Sequence, residues 1–130
     1  MMKTPLRICI LLSAVVALAA CASADANSAP KAVEAYLEGL TAKDSDAVIN
    51  ASCPVWEENA KLEIDSFAAV TPTLEGLACE AAGTDGEYTL VTCKGVIKVT
   101  YNNEQQELPL EGRTYLAAQD GGEWRMCGYR

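Results

Sequence analysis

Residues 87–101 read EYTLVTCKGVIKVTY, the longest uninterrupted stretch of alternation in the chain. Val91, Cys93, Ile97, Val99 and Tyr101 fall on one side of an extended backbone. Thr92, Lys94, Lys98 and Thr100 fall on the other. Successive side chains of a strand point to opposite faces, so this period of two predicts a strand with one buried and one wet face. A half-wet sheet is antiparallel in most proteins, because parallel sheets are covered on both sides. The flanks agree. Thr84-Asp85-Gly86 predicts a tight turn placed at Asp85-Gly86, preceded by a weaker strand over 74–82. Asn102-Asn103 predicts the next turn. A third strand is read over 105–119, with Leu108, Leu110, Leu116 and Ala118 as its apolar members and Gly112 as a bulge or bend. Asp120-Gly121-Gly122 turns the chain into a last strand, Glu123 to Tyr129. The reading is a four-stranded antiparallel meander.

Upstream the period changes. Ser28 can cap a helix with Pro30 in its first turn. Val33, Tyr36, Leu37 and Leu40 then recur at i, i+3, i+4 and i+7, which is one helical face. TAKD (41–44) is a turn. Asp44 or Ser45 can cap a second short helix with Val48, Ile49, Ser52 and Cys53 inward, ended by Pro54. Trp56 to Phe67 reads as a third helix with Trp56, Ala60, Ile64 and Phe67 on one side. Glu57, Glu58, Lys61 and Asp65 lie elsewhere. Helices first and hairpins afterwards predict an α+β class: two or three N-terminal helices packed on a curved four-stranded antiparallel sheet, in one domain over 30–130. A domain of that size buries only a modest core.

The first 20 residues have a different character. Lys3 and Arg7 precede a 13-residue apolar run, ICILLSAVVALAA (8–20), broken only by Ser13. A basic start, a short apolar run and small residues are the signature of a secretory signal. A permanent span needs about 20 apolar residues. The run ends in Leu18-Ala19-Ala20-Cys21, which resembles the lipobox of bacterial lipoproteins. There a thiol takes a diacylglyceryl group, and small side chains before it let the peptidase reach the backbone. The resemblance implies a signal over 1–20 and a lipidated Cys21, with palmitate-type chains on it and membrane attachment through that lipid. ASADANSA (22–29) is small and polar and completes a flexible tether over 21–29. A simply secreted chain is the competing reading, because Ala17-Leu18-Ala19 and Ala22-Ser23-Ala24 also offer small-x-small cleavage sites. The expected location is the bacterial cell envelope, extracytoplasmic and lipid-anchored.

Cysteine arithmetic supports that compartment. Of six cysteines, Cys9 leaves with the signal and Cys21 is taken by lipid. Cys53, Cys79, Cys93 and Cys127 remain, an even number, which suggests two disulfides in an exported domain. With the turn at Asp85-Gly86, Cys79 falls opposite residue 92, one short of Cys93. A one-residue bulge or a longer loop through Gly83 would join them. Cys53 and Cys127 then pair by elimination, out of three possible connectivities. Scattered spacing without CxxC, and no histidine anywhere, speak against zinc. No metal and no cofactor is expected. All 18 acidic residues follow the signal, whereas two of the ten basic ones lie in it. The remainder carries an excess of ten negative charges, which argues against nucleic acid as a partner.

From Ala29 to Tyr129 the chain resembles the nuclear transport factor 2-like superfamily, which includes ketosteroid isomerase-like domains. The resemblance rests on 31–53 as an opening helix pair, on Leu74-Glu75-Gly76 with 87–101 as early strands, and on Asp120 to Tyr129 as a terminal hairpin carrying a Trp. It implies a sheet curled around the helices into a cone with an apolar pocket. Tyr36 on the inner helix face could reach a ligand there, and Trp56 and Trp124 could line the pocket. Each is also a natural core residue. Glu57-Glu58 and Glu63-Asp65 could be paired carboxylates for acid–base work or calcium, but their spacing splits them around a helix and they read as a solvated face. Asn50-Ala51-Ser52 fits a glycosylation sequon but sits in a predicted bacterial helix. No catalytic residue is assigned, since histidine, the commonest general base, is absent. Fold does not dictate activity, so three readings stand. The first is an anchored, non-enzymatic domain binding a small apolar ligand or a neighbouring envelope protein. The second is an isomerase-like enzyme using Tyr36 and a buried carboxylate. The third is a structural interaction module whose cone is filled by its own side chains.

Overall fold

The computed structural model describes residues 27–130. The signal, the lipobox cysteine Cys21 and most of the tether lie outside the described residues. Three helices come first: α1 (Ala29–Ala42), α2 (Ser45–Asn50) and α3 (Glu57–Phe67), the last entered through a 3₁₀ turn, Pro54–Trp56. Five strands follow: β1 (Thr71–Asp85), β2 (Tyr88–Tyr101), β3 (Glu104–Pro109), β4 (Thr114–Asp120) and β5 (Glu123–Tyr129). The class is α+β, with three helices and an open antiparallel sheet.

The sequence supplies the helix ends. The Ser28 hydroxyl accepts from the Lys31 amide and Pro30 sits in the first turn of α1. Asp44, not Ser45, caps α2, its carboxylate accepting from the Ala47 amide at 3.0 Å. Val33, Tyr36, Leu37 and Leu40 are all buried, so α1 presents the face its spacing prescribes. That face packs on β1, β2, β4 and β5. Val91, Cys93, Ile97 and Val99 meet it from the sheet, while Tyr101, the last residue of β2, is exposed.

The expected third strand is two strands, so the sheet has five and not four. β3 pairs with the second half of β2 (Val96↔Pro109 to Tyr101↔Glu104), and β4 with the first half (Thr89↔Ala117 to Thr92↔Thr114). The break at 110–113 shifts the chain, and with it the face that each residue shows. Tyr115 and Ala117 are buried, not Leu116 and Ala118, because Tyr115 stands opposite Val91. A one-residue slip in a period-two element exchanges its faces. The first hairpin also turns one residue later than expected, with Asp85 paired to Tyr88 around Gly86 and Glu87.

Two irregularities bend β1 against β2. One lies between Ala81 and Thr84, and beyond it Cys79 stands opposite Cys93. Those two cysteines are joined, with Cα atoms 4.1 Å apart. The other lies between Glu75 and Ala78. There Gly95 (φ +120°) brings its backbone so close that a Cβ would sit 2.8 Å from the Glu75 carbonyl oxygen. Cys53 is joined to Cys127. The exit of α2 runs beside β5: the Cys53 amide donates to the Met126 carbonyl at 2.8 Å, and the Met126 amide to the Ala51 carbonyl at 2.7 Å. Two disulfides mark an oxidising compartment outside the cytoplasm. Among the described residues no helix is long and apolar enough to cross a membrane.

Candidate functional site

A cleft of about 190 Å³ opens between α1, α3 and the segment linking β3 to β4. Leu37 and Leu40 from α1, Phe67 from α3, Ile97 from β2 and Leu110 supply apolar walls. Polar side chains from three places converge on the same space: Tyr36, Glu63, and the group Arg113, Tyr115 and Tyr129.

Tyr36 is fully buried on the inner face of α1. Its hydroxyl donates to Glu63 Oε2 at 2.8 Å and accepts from Trp56 Nε1 at 3.1 Å. Both hydrogen-bonding roles of the hydroxyl are therefore taken up by the protein. Burial, and then the Glu63 charge, push the Tyr36 hydroxyl far above its usual pKa, so it stays protonated. Trp56 holds its indole in place by lying over Gly128, where a Cβ would come within 3.2 Å of the ring. It also meets Tyr129 edge-on, with centroids 5.5 Å apart.

Glu63 stands on α3 between Ala60 and Phe67, three residues after one and four before the other. That spacing carries it to the edge of the buried face rather than to the solvated one. Its second oxygen, Oε1, is buried and makes no well-formed hydrogen bond, with the Tyr129 hydroxyl beside the carboxylate; the Tyr115 hydroxyl is likewise buried without a well-formed bond, with Arg113 beside it. Tyr115 and Tyr129 are cross-strand partners whose rings meet edge-on at 5.8 Å. Burial raises both of their pKa values. Arg113 draws Tyr115 partly back, and Glu63 raises Tyr129 further. The Arg113 guanidinium lies 4.5 Å above the Tyr129 ring, a cation–π geometry.

Of the three candidate pocket residues, then, Tyr36 lines the cleft. Trp56 stands behind it and orients its hydroxyl. Trp124 is elsewhere: it borders a shallow hollow with Asn27, Ser28 and Ala51. Sequence reasoning discounted Glu63 as solvated and missed Arg113, Tyr115 and Tyr129. For Glu63 a signal existed, because residues 60, 63, 64 and 67 complete an i, i+3, i+4, i+7 set. Tyr115 was hidden by the misplaced strand break. Among the described residues no group of three or more His, Cys, Asp or Glu is placed to hold a metal ion.

No family model and no curated sequence matches the chain. A designed nuclear transport factor 2-like protein is similar at 15% identity and a TM-score of 0.47, over 77% of this chain and 94% of that one. A SEC-C motif containing protein from Rhodopseudomonas palustris is similar at 11% identity and a TM-score of 0.53. The match covers 81% of this chain and 79% of that one. At such identity the likeness concerns the backbone path alone, and this α+β arrangement is one that a solved bacterial protein shares.

Proposed function

We propose that this chain is an envelope lipoprotein, anchored through Cys21, whose nuclear transport factor 2-like domain binds a small ligand with an apolar body and does no chemistry on it. The observation that carries the reading is the cleft beside Tyr36. It is walled by Leu37, Leu40, Ile97 and Leu110, and two of its polar atoms, Glu63 Oε1 and the Tyr115 hydroxyl, make no well-formed hydrogen bond. Leaving a polar atom buried and unpaired costs roughly 1–3 kcal/mol. A ligand that pairs with both recovers that cost on binding. A space this size, about that of six waters, is at odds with a cone wholly filled by its own side chains. It is also below the range of about 300–1,000 Å³ usual for larger ligands.

The isomerase-like reading has one observation in its favour, a carboxylate 2.8 Å from the Tyr36 hydroxyl. That hydroxyl is already donor to Glu63 and acceptor from Trp56, so no donor from it remains for a substrate carbonyl. A steroid-sized substrate also exceeds the cleft. Binding without turnover is therefore the preferred reading.

Titrating the detergent-solubilised full chain with cyclohexanol, followed by methyl NMR, tests the site. Shifts are expected to concentrate at Leu37, Ile97 and Leu110 and to vanish in Leu110→Trp. Shifts absent, or spread evenly over the surface, would defeat it. The anchor is tested separately by intact mass, which is expected to show a diacylglyceryl-modified residue 21, and by Cys21→Ser, which is expected to release the chain from membranes. An unmodified start, or a Ser variant equally membrane-bound, removes the anchoring claim.

A further inference from the structure

The basic side chains of this acidic protein are mostly paired. Lys31, Lys61, Lys98, Arg125 and Arg130 each lie within 4 Å of a carboxylate. Lys43, Lys94 and the exposed Arg113 are not in such pairs, and of these Arg113 borders the cleft. Among the described residues it makes no ion pair, and its guanidinium rests on the Tyr129 ring at the cleft. Glu63 borders the same cleft and forms no salt bridge with it. A cation and an anion thus share one small, apolar-walled space without touching each other.

We infer that the ligand of this cleft is a small aliphatic α-amino acid in its zwitterionic form, an inference that rests on the binding role proposed above. The carboxylate would be met by the Arg113 guanidinium and the Tyr115 hydroxyl. The ammonium group would donate to Glu63 Oε1. The aliphatic side chain would lie among Leu37, Leu40, Ile97 and Leu110.

Charge decides among the alternatives. A plain carboxylic acid satisfies Arg113 but sets its charge beside Glu63, in a molecule already strongly negative. An amine satisfies Glu63 and leaves Arg113 facing a second cation. A neutral apolar molecule pairs with neither. Only a zwitterion answers both charges, and with no net charge it is not repelled by the whole protein. The Tyr115 hydroxyl, buried beside Arg113 and making no well-formed hydrogen bond, gives the carboxylate a second and neutral donor. Tyr36 holds the other oxygen of Glu63, so Oε1 is fixed in place before the ligand arrives.

Calorimetry on the detergent-solubilised full chain tests this with four probes: L-leucine, 4-methylpentanoate, isopentylamine and cyclohexanol. L-Leucine is expected to bind about tenfold or more tightly than either singly charged analogue, in line with the loss of one charge-assisted contact. Arg113→Gln, with its fold checked by circular dichroism, is expected to bind L-leucine and isopentylamine alike. If either analogue binds the unmodified chain within about twofold of L-leucine, the inference is wrong. If cyclohexanol binds and L-leucine does not, the inference fails while the binding role stands. If none of the four binds, both fail.

Discussion

The Tyr36 hydroxyl joins three elements, since α1 carries it, α3 receives its proton donation through Glu63, and the 3₁₀ turn supplies Trp56. Removing it strands two polar atoms, Trp56 Nε1 and Glu63 Oε2. Tyr36→Phe is expected to lower the unfolding free energy by about 2–4 kcal/mol in urea titrations. Tyr101→Phe, at an exposed position, should change it by less than about 0.5 kcal/mol. The tyrosines also set an alkaline limit. Tyr36, Tyr115 and Tyr129 all have raised pKa values in the folded chain, chiefly through burial. The folded state then holds protons that the unfolded chain gives up near pH 10. Their contribution is complete below about pH 10 and is lost progressively above it. Urea midpoints measured between pH 8 and 11 should therefore fall only at the upper end, and less steeply in Tyr36→Phe.

Among the elements, the β1–β2 hairpin depends on two backbone irregularities. At one of them Gly95 has φ of +120°, and an added Cβ would collide with the Glu75 and Gly76 backbone. Gly95→Ala is expected to cost about 2–4 kcal/mol, from strained dihedrals together with overpacking. Gly112→Ala, with open space around it, is the control and should cost far less. The helices and the inner face of β2 were legible in the sequence because each is a long run of one period with a clear cap or turn at its end. The split between β3 and β4 was not. Leu108-Pro109-Leu110 continues the apolar pattern, and Gly112 signals a bulge or bend within one strand as readily as the full break at 110–113. Once that break was missed, Tyr115 was assigned to the wrong face, and half of the cleft went unseen with it. Glu63 was lost for another reason: taken with Asp65 it is split around the helix and reads as solvated, although its position on α3 sets it on the same side as Ala60 and Phe67.

For the whole molecule, the two disulfides close loops of very different size, with sequence separations of 14 and 74. On loop-closure entropy the longer one contributes about 4.5 kcal/mol and the shorter about 3 kcal/mol. Replacing Cys53 and Cys127 together by Ala should thus destabilise the chain more than replacing Cys79 and Cys93, as read from urea midpoints. A last consequence comes from Asn27. Its side-chain oxygen accepts from the Trp124 amide at 3.2 Å, and its amide donates to the Gly122 carbonyl at 3.3 Å. The chain is thereby moored to the tip of the β4–β5 hairpin. If Cys21 is acylated, a leash of six residues can stretch no further than roughly 20 Å. The hairpin tip would then ride near the headgroups, with the charges of Asp120 and Glu123 partly answered by Arg125. A fluorophore on Gly121 should sense bilayer quenchers more strongly than one on Lys94, and cutting the mooring with Asn27→Ala should narrow that difference.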